Sequence, residues 1–482
     1  MNTFSVKTKV ICTIGPASSS KERLRQLLAK GMDVARLNFS HGSHELHSRT
    51  IKTIRELSME MNIHPGIHGD LQGFKIRTGP LKSNEPVVLR PGSPFTLCSE
   101  RFHGDAEGMS VDYSELPANV SAGSSIFIRD GLIELKVLSV DEDEVFCEVV
   151  HGGRLKGRDG VNVPGLVVKG ETLTDKDLAD TRFAVEQDID FLGVSFVRTA
   201  TDLVRVKDIV EGHGSPGCKL IAKVETREAV DNISEILEYC HGIMIARGDL
   251  GVELLPETVP TIQKDLISLC NRRRKLVITA TQMLESMTEN PRPTRAEASD
   301  VANAVFDGSD ALLLSGETAV GNYPVESLVT MKKIAREAEQ ALQRRKRQFF
   351  ERKYDLAYHA PDAICHSAAY AANQLKAKAI VVLTRTGYTG FLISKYHPGV
   401  PILGITPHPA TARRLSVYRG VTPMIGEMVF GFNHIKLMVD RCLKKGGHAK
   451  RGDTVIVISG TPVKDDESVD RTSNMLMIHS VK

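Results

Sequence analysis

The sequence has no long apolar run and no clustered cysteines. Crossing a bilayer takes about 18 consecutive apolar residues, which excludes a membrane-spanning class, and the first twelve residues lack the apolar stretch of a signal peptide. The eight cysteines are scattered without a Cys-x-x-Cys pair, which argues against a disulfide framework or a zinc site. We therefore expect reduced thiols, a cytoplasmic protein and no membrane partner.

The sequence also lacks an excess of charge of either sign. Its 62 Lys and Arg stand against 59 Asp and Glu, a formal net charge of +3, so we expect no nucleic-acid partner. Hydrophobic residues make up 41% and charged residues 25%, the balance of folded globular proteins, which excludes intrinsic disorder. At roughly 150 residues per domain, the length of 482 residues favours about three domains.

Eight short apolar runs that end in polar or glycine residues recur along the chain. They lack a two-residue alternation, as expected of parallel strands buried on both faces. Helix signals lie between them, such as the pair Thr174 and Asp177, which resembles a capping box. Parallel strands alternating with helices predict an α/β fold, a (β/α)8 TIM barrel. The runs cover residues 10–15, 34–39, 66–71, 191–196, 220–225, 243–248, 276–281 and 311–316.

The interval after the third run is much longer than the others. It contains alternating stretches at residues 94–98, 125–128 and 145–150, which predict an antiparallel β-barrel domain inserted into a βα loop. Because such loops carry the active site of a TIM barrel, we expect the insertion to act as a lid.

A second α/β unit is expected at the C-terminal end. A basic segment at residues 343–353 is interpreted as a solvated helix end that leads into a linker, and four further apolar runs beyond it predict an open α/β domain. The predicted domains are the barrel (1–72 and 165–342), the inserted β lid (73–164) and a C-terminal effector-binding domain (343–482).

The fifth and sixth apolar runs end in acidic and basic residues. Lys223 and Glu225 are two residues apart on one strand, so they point to the same side. Glu225 and Asp249 offer the oxygen ligands that Mg²⁺ prefers. A purely structural salt bridge between Lys223 and either acid is the alternative interpretation.

Arginine, lysine, carboxylates and hydroxyls follow the strands and would meet at one mouth of the barrel. This mixture suits an anionic, phosphorylated substrate. The residues alone leave open whether a metal there supports phosphoryl transfer or carbon–carbon cleavage, since both use an enolate held by Mg²⁺ and cationic groups. No Walker-type or protein-kinase glycine loop is present. The candidates at the other strand ends are Arg36, Asn38, Ser40, His41, Asp70, Thr279, Thr281, Gln282, Ser315 and Glu317.

Several long strings resemble the pyruvate kinase family, in its order, over almost the whole chain. They are residues 9–18 (KVICTIGPAS), 36–42 (RLNFSHG), 160–165 (GVNVPG), 245–253 (IARGDLGVE), 280–286 (ATQMLES), 290–297 (NPRPTRAE), 300–308 (DVANAVFDG) and 314–319 (LSGETA). The resemblance implies transfer of the phosphoryl group of phosphoenolpyruvate to ADP, giving pyruvate and ATP. It also implies a homotetramer.

The resemblance implies a role for each matched site residue. Arg36 and Lys223 hold the phosphoryl group, and the Gly248 and Asp249 backbone contacts the substrate carboxylate. Mg²⁺ is bound by Glu225 and Asp249, and Mn²⁺ is expected to substitute. Thr281 lies by the enolate methylene and either donates the proton itself or orders a water chain. The implied catalytic set is Lys223, Arg36, Thr281, Lys75, Ser315 and Glu317, and the implied nucleotide-binding set is Asn38, Ser40, His41, Arg77 and Arg158.

Residues 70–79 depart from the commoner family string. Where that string has Thr, Lys, Pro and Glu, this chain has Leu71, Gln72, Phe74 and Lys75. In the commoner form a K⁺ ion lies near the equivalents of Asn38, Ser40, Asp70 and Leu71. We expect the Lys75 ammonium to replace that ion, so that the chain belongs to a bacterial, K⁺-independent branch. Asp159 also stands where the family usually has Lys, and we expect Arg158 to substitute.

Residues 384–389 (TRTGYT) follow an apolar strand and open a helix. This geometry presents backbone N–H groups to an anion, and in the family the loop binds a phosphorylated effector that activates the enzyme. We expect Thr384, Arg385, Thr386, Gly387 and Thr389 to bind a sugar monophosphate or AMP. The loop at residues 459–462, expected to close over it, lacks the tryptophan of some fructose-bisphosphate-activated relatives.

Two other function classes remain open from the sequence. A metal-dependent aldolase or lyase acting on pyruvate enolate would share the barrel and the acids, but it has no need of the lid or terminal domain. A non-catalytic relative that senses metabolites would lack a catalytic residue, yet Arg36, Lys223, Glu225, Asp249 and Thr281 are all present.

Overall fold

The structure is a computed structural model that describes residues 6–83, 85–100, 102–129, 131–166, 173–212, 217–344, 359–427, 431–460 and 473–482. In chain order, its strands are β1 (Lys9–Thr13), β2 (Val34–Asn38), β3 (Gly66–Asp70), β4 (Val87–Leu89), β5 (Pro94–Cys98), β6 (Gly108–Ser110), β7 (Ser125–Ile128), β8 (Ile133–Val140), β9 (Glu144–His151), β10 (Gly153–Leu155), β11 (Val161–Asn162), β12 (Phe191–Val194), β13 (Lys219–Val224), β14 (Gly242–Ala246), β15 (Leu276–Ala280), β16 (Ala311–Leu314), β17 (Ile380–Leu383), β18 (Ile402–Thr406), β19 (Val421–Ile425), β20 (Thr454–Gly460) and β21 (Ser473–Ser480).

The helices, in the same order, are α1 (Lys21–Ala29), α2 (His44–Met61), α3 (Leu116–Asn119), α4 (Asp175–Glu186), α5 (Ala200–Gly212), α6 (Arg227–Asp231), α7 (Ile233–Tyr239), α8 (Arg247–Glu253), α9 (Val259–Arg272), α10 (Arg295–Asp307), α11 (Gly316–Ala319), α12 (Pro324–Arg344), α13 (Ala360–Gln374), α14 (Tyr388–Lys395), α15 (Pro409–Leu415) and α16 (Phe432–Lys445). Short 3₁₀ helices cover Pro256–Thr258 and Glu285–Thr288. Among the described residues, no helix combines the length and apolarity that a membrane crossing requires.

Eight parallel strands close into a barrel in the order β1-β16-β15-β14-β13-β12-β3-β2. Every residue of β1, β3, β14 and β15 is buried, because helices cover the outer face and side chains fill the interior. The capping box that opens α4 at Thr174 and Asp177 is present. The predicted TIM barrel is confirmed.

The long interval after β3 forms a separate β unit with its own core. Its main sheet has the order β11-β7-β8-β9-β5-β6, and β4 pairs with β10. Inward positions of β9 alternate with exposed ones, and Phe95, Leu97 and Leu135 are buried in the centre. An inserted β unit is what the alternating stretches predicted, since one face of an antiparallel sheet packs inward and the other meets water. It differs from the predicted antiparallel β-barrel in two ways: β5 and β6 pair in parallel, and the described strands form two separate sheets instead of one closed barrel.

The C-terminal unit is an open sheet in the order β19-β18-β17-β20-β21. Four of its strands are parallel neighbours, whereas β21 runs antiparallel to β20 and was not predicted. Part of the basic segment (345–353) and part of the loop expected to close over the effector site (461–462) lie outside the described residues. The predicted domain boundaries stay predictions.

Buried ion pairs join the C-terminal unit to the barrel. Lys395, at the end of α14, lies 2.7 Å from Asp310, just before β16, and both side chains are fully buried. Arg274 contacts Asp362 of α13 at 2.9 Å with both side chains buried. Because an unpaired buried charge is costly, these pairs hold the C-terminal sheet against the amino-terminal end of the barrel.

Candidate active site

The ends of β1, β2 and β3 bring an arginine, a carboxylate and a hydroxyl together. Arg36 Nε donates to Asp70 Oδ2 at 2.8 Å, Arg36 Nη2 binds the same oxygen, and Arg36 Nη1 donates to Thr13 Oγ1 at 2.9 Å. A planar guanidinium holds its N–H donors in a rigid fork, which here reaches one carboxylate and a hydroxyl at once. Arg36 is therefore fixed in direction before any substrate binds.

Lys223, the fifth residue of β13, lies at the centre of the site. Its Nζ donates to Ser195 Oγ at 2.7 Å and lies 3.0 Å from Glu225 Oε1 and 3.5 Å from Asp70 Oδ2. The second oxygen of Glu225 accepts the backbone N–H of Phe196 at 2.8 Å. The Lys223 side chain is 11% exposed, so its charge is little screened by the solvent.

Electrostatics keep the central lysine and Asp70 charged. Burial alone would raise the pKa of Asp70, but Arg36 and Lys223 outweigh it and lower the pKa to about 2. Burial alone would lower the pKa of Lys223, but Asp70 and Glu225 raise it above its ordinary value. Each shift favours the charged form, so Lys223 carries a full positive charge at neutral pH.

His68 and Gly193 seal the far side of Asp70. His68 Nε2 lies 4.0 Å from Asp70 Oδ1, and burial lowers the pKa of His68 to about 4. Gly193 packs so closely that a Cβ there would lie 2.5 Å from Asp70 Oδ1. The carboxylate is thus held without room for a side chain or a hydration shell beside it.

Lys75 enters the barrel mouth from the segment that leads into the lid. Its Nζ donates to Asp249 Oδ1 at 2.7 Å, and the two side chains are 16% and 24% exposed. Together with Arg36 and Lys223 it makes three cationic groups, opposed by the three carboxylates Asp70, Glu225 and Asp249. The site is therefore close to neutral as it stands.

The group predicted as a vestigial K⁺ site lies on the barrel side of the mouth. Asn38 Oδ1 accepts the N–H of Ser40 at 3.1 Å, and the Leu71 carbonyl accepts the Ser195 hydroxyl at 2.7 Å. An ammonium adjoins this segment, because Lys176 Nζ donates to the carbonyl oxygen of Phe39 at 2.6 Å. Lys176 lies in the first turn of α4 and was not predicted as a site residue, because no motif around it marks it.

Thr281 follows β15 and meets the start of α8. Its Oγ1 accepts the N–H of Gly248 at 2.8 Å and donates to the Ala280 carbonyl at 2.7 Å. Glu317 lies deeper: it is fully buried, and its two oxygens accept the N–H groups of Leu284 at 3.0 Å and Ser315 at 2.7 Å. Burial raises the pKa of Glu317, and its contacts tie two segments of the barrel wall together.

The residues predicted to bind nucleotide form two groups. Asn38 ends β2, and Ser40 and the exposed His41 follow it. Arg77 and Arg158 lie side by side in the lid, where Arg77 Nη1 donates to the Arg158 carbonyl at 3.4 Å. The nucleotide set thus spans the barrel and the lid.

The predicted effector loop has the expected local form. It connects β17 to α14, with Gly387 left-handed at φ 90° and its N–H bonded to Thr384 Oγ1 at 2.9 Å. Arg385 and Thr386 are exposed, while Thr389 is buried in the first turn of the helix. A loop that opens a helix in this way leaves backbone donors for an anion.

The acids at the mouth suit Mg²⁺ better than a tightly bound transition metal. Within the described part of the chain, no group of three or more His, Cys, Asp or Glu side chains is arranged to hold a metal. Glu225 and Asp249 supply two carboxylates, and Mg²⁺ commonly takes one or two from the protein and the rest from phosphate and water. The donor set fits that ion.

Comparison with known proteins assigns the whole chain to one family. The family profile described as "Pyruvate kinase, barrel domain" matches residues 5–328, and that described as "Pyruvate kinase, alpha/beta domain" matches residues 362–479. The chain belongs to the pyruvate kinase family. It is 45% identical to the pyruvate kinase of Geobacillus stearothermophilus over 98% of this chain and 80% of the relative. It is also 42% identical to that of Clostridium perfringens (strain 13 / Type A), over 98% of this chain and 100% of the relative.

Membership in the pyruvate kinase family decides between the function classes that the sequence left open. The chain is a phosphotransferase of the pyruvate kinase type, and the aldolase or lyase interpretation is not supported. The contacts also add a residue that sequence reasoning missed: Ser195, the first residue after β12, which holds Lys223. Its position at a strand end was the available signal.

Proposed function

We propose that the chain transfers the phosphoryl group of phosphoenolpyruvate to ADP, with Arg36 and Lys223 holding the group as it moves. The observation that carries the proposal is the placement of Lys223 near the end of β13, where its buried ammonium lies 3.5 Å from Asp70 and 3.0 Å from Glu225. Phosphoryl transfer depends mainly on positioning and on positive charge around the transferring oxygens. A preset guanidinium and a buried ammonium provide both.

Glu225 and Asp249 would hold the divalent ion, Mg²⁺ or, in its place, Mn²⁺. When bound, the ion supplies two positive charges that offset those of the phosphates. The charges of the site support a divalent ion there. Three cationic and three acidic side chains nearly cancel, so the site attracts phosphate strongly only when a further cation binds. Lys75 and Lys223 neutralise the acids until then.

The start of α8 and the end of β15 orient the substrate. The Gly248 and Asp249 backbone contacts the substrate carboxylate, since both residues lie in the first turn of a helix, where the Gly248 N–H is shared with Thr281 Oγ1. Thr281 lies beside the enolate methylene and gives or relays the proton that forms pyruvate. Ser315 and Glu317 lie on the same side of the site. Because the Glu317 carboxylate accepts the N–H groups of Leu284 and Ser315, it supports the backbone around the site.

The nucleotide binds between barrel and lid, with its phosphates near Asn38, Ser40, His41, Arg77 and Arg158. Lys75 supplies the positive charge that other family members take from K⁺, so K⁺ is not required. Its ion pair with Asp249 is the support for this part, because the ammonium already stands among the charged groups of the site.

Regulation and assembly complete the proposal. A sugar monophosphate or AMP binds at Thr384, Arg385, Thr386, Gly387 and Thr389 and activates the enzyme, supported by the helix-opening loop. The enzyme is a homotetramer. It works in the cytoplasm, and the eight free cysteines favour that location because cytoplasmic thiols stay reduced.

The direct test measures pyruvate formed from phosphoenolpyruvate and ADP by the purified protein, coupled to NADH oxidation. We expect activity with Mg²⁺ or Mn²⁺ and none after chelation. Asp249→Asn should raise the Mg²⁺ concentration needed for half activity. Glu228→Gln is the matched control, because Glu228 lies near the mouth but pairs with Arg198 at 3.8 Å. Failure to form pyruvate, or equal Mg²⁺ requirements of both variants, would contradict the proposal.

A further inference from the structure

The turn after β15 holds two consecutive non-glycine residues in the left-handed region. Thr281 has φ 65° and Gln282 has φ 53°. A β-branched residue such as threonine rarely adopts this conformation, because its side chain crowds the backbone. Such strain persists only where surrounding contacts impose it, and it concentrates at functional positions.

One guanidinium binds the backbone of this turn. Arg247 Nη2 donates to the Thr281 carbonyl at 2.7 Å and to the Gln282 carbonyl at 3.3 Å, and Arg247 Nε donates to the Ala280 carbonyl at 3.3 Å. Three successive carbonyl oxygens thus converge on one cation. Hydrogen bonds from a charged donor are stronger than neutral ones, so these bonds can hold the strained backbone.

Arg247 is itself fixed from the other side. Its Nη1 donates to both carboxylate oxygens of Asp300, in α10, at 2.8 and 2.6 Å, and lies 3.4 Å from Gln263 Oε1. The Arg247 side chain is 9% exposed. The guanidinium therefore has little freedom to leave the turn.

The backbone next to Arg247 binds the Thr281 side chain. Gly248 N–H donates to Thr281 Oγ1 at 2.8 Å, while the guanidinium holds the carbonyl of the same threonine. The two attachments fix both ends of Thr281 relative to α8. Thr281 and the substrate-binding amides of α8 therefore keep a set separation.

We propose that Arg247 is a positioning residue: it holds the left-handed turn at Thr281 and Gln282 and so sets the Thr281 hydroxyl against the α8 amides for enolate protonation. This inference rests on the proposed role of Thr281. Arg247 acts through Thr281 and makes no contact with the reacting atoms.

The test compares Arg247→Met and Arg247→Lys, with Arg25→Met, an exposed helix residue paired with Glu60, as the matched control. Two rates are measured: kcat for pyruvate formation, and deuterium uptake into the pyruvate methyl group in D₂O. Because misplacement of a reacting group by about 1 Å can cost 100-fold, Arg247→Met should lower both by about that factor with a small change in KM. Arg247→Lys should reduce both rates less, since an ammonium can bind one of the carbonyl oxygens but lacks the planar fork that binds several.

A second substitution separates positioning from general destabilisation. Glycine adopts the left-handed region without steric cost, so Gln282→Gly added to Arg247→Met should recover part of both rates. The inference is overturned if folded Arg247→Met keeps wild-type exchange, or if the glycine restores thermal stability but neither rate. If Arg247→Met does not fold, Arg247→Lys decides by the same two rates.

The variant Thr281→Val separates the proposed role of Thr281 from that of Arg247. If it keeps wild-type deuterium uptake, the proposed role of Thr281 fails, and the role of Arg247 with it. If Thr281→Val loses exchange while Arg247→Met retains it, the inference about Arg247 alone is wrong. Loss of exchange in both variants supports both.

Discussion

Replacing Lys75 by glutamate should turn a K⁺-independent enzyme into one that needs K⁺. The substitution removes an ammonium 2.7 Å from Asp249 Oδ1 and puts a carboxylate beside that of Asp249. The local charge changes by two units. An external monovalent cation would then be the available source of the missing charge.

The size of the effect follows from the charge that Lys75 is proposed to supply. In the proposed role, the Lys75 ammonium makes one hydrogen bond to the charged groups of the transition state. A hydrogen bond to a charged group contributes about 1.5–3 kcal/mol net, and the Lys75 side chain is mostly buried, so solvent screening is modest. At 1.4 kcal/mol per factor of ten, this corresponds to roughly a 10- to 150-fold loss of kcat/KM for the neutral variant Lys75→Met. Lys75→Glu should lose more, because repulsion from Asp249 is added to the lost attraction.

The assay follows pyruvate formation in buffer free of Na⁺ and K⁺, with tetramethylammonium as counter-ion and K⁺ added stepwise. The wild type should show little response, and Lys75→Glu should be activated by K⁺ with saturation. Lys82→Met, which removes an exposed lysine paired with Asp105, is the matched control. Strong activation of the wild type by K⁺ would refute the reasoning, since Lys75 would then not replace the ion.

Three further predictions test other parts of the structure. Lys395→Met should destabilise the protein by about 3–5 kcal/mol in urea unfolding, because Asp310 stays buried without its partner; adding Asp310→Asn should recover part of the loss. His68, with a folded pKa of about 4 against 6.5 unfolded, binds its proton less tightly when folded. Its contribution to the free energy of unfolding, up to about 3 kcal/mol, is full above pH 6.5 and is lost as the pH falls towards 4. His68→Gln should therefore flatten the plot of unfolding free energy against pH in that window, and equal slopes in the variant and the wild type would contradict this. Glucose 6-phosphate or AMP should lower the half-saturating phosphoenolpyruvate concentration of the wild type but not of Thr386→Val, and an equal response of the two proteins would place the effector elsewhere.

The barrel was predictable because burial on both faces leaves a distinctive pattern. Continuous apolar runs mark strands such as β14 and β15, and the polar residues that follow them mark the mouth. The predicted runs extend past the strands, since the functional residues already leave strand geometry: β14 ends at Ala246, and β15 ends at Ala280 before the turn at Thr281. Strand β21 was missed because an antiparallel edge strand carries no crossover helix to announce it.

Which residues belong to the site was easier to predict than which of them contact each other. Lys223 lies in β13 and Glu225 directly follows it, so their pairing follows from the two-residue period. The partner of Lys75 does not, because it depends on how the lid segment approaches the barrel. Likewise the contacts of Asp70 with Arg36 and Lys223 were not predicted, because a sequence pattern does not say which of several strand ends will touch.

The most direct measurement of the central claim is made on Lys223→Met. Removing one preorganised charge at a transition state costs about 100- to 1,000-fold, so pyruvate formation from phosphoenolpyruvate and ADP should fall by that much. Deuterium uptake into the methyl group of added pyruvate should fall far less, because the phosphoryl group takes no part in it. Equal loss of both rates, or unchanged phosphoryl transfer, would contradict the account that Lys223 stabilises the moving phosphoryl group.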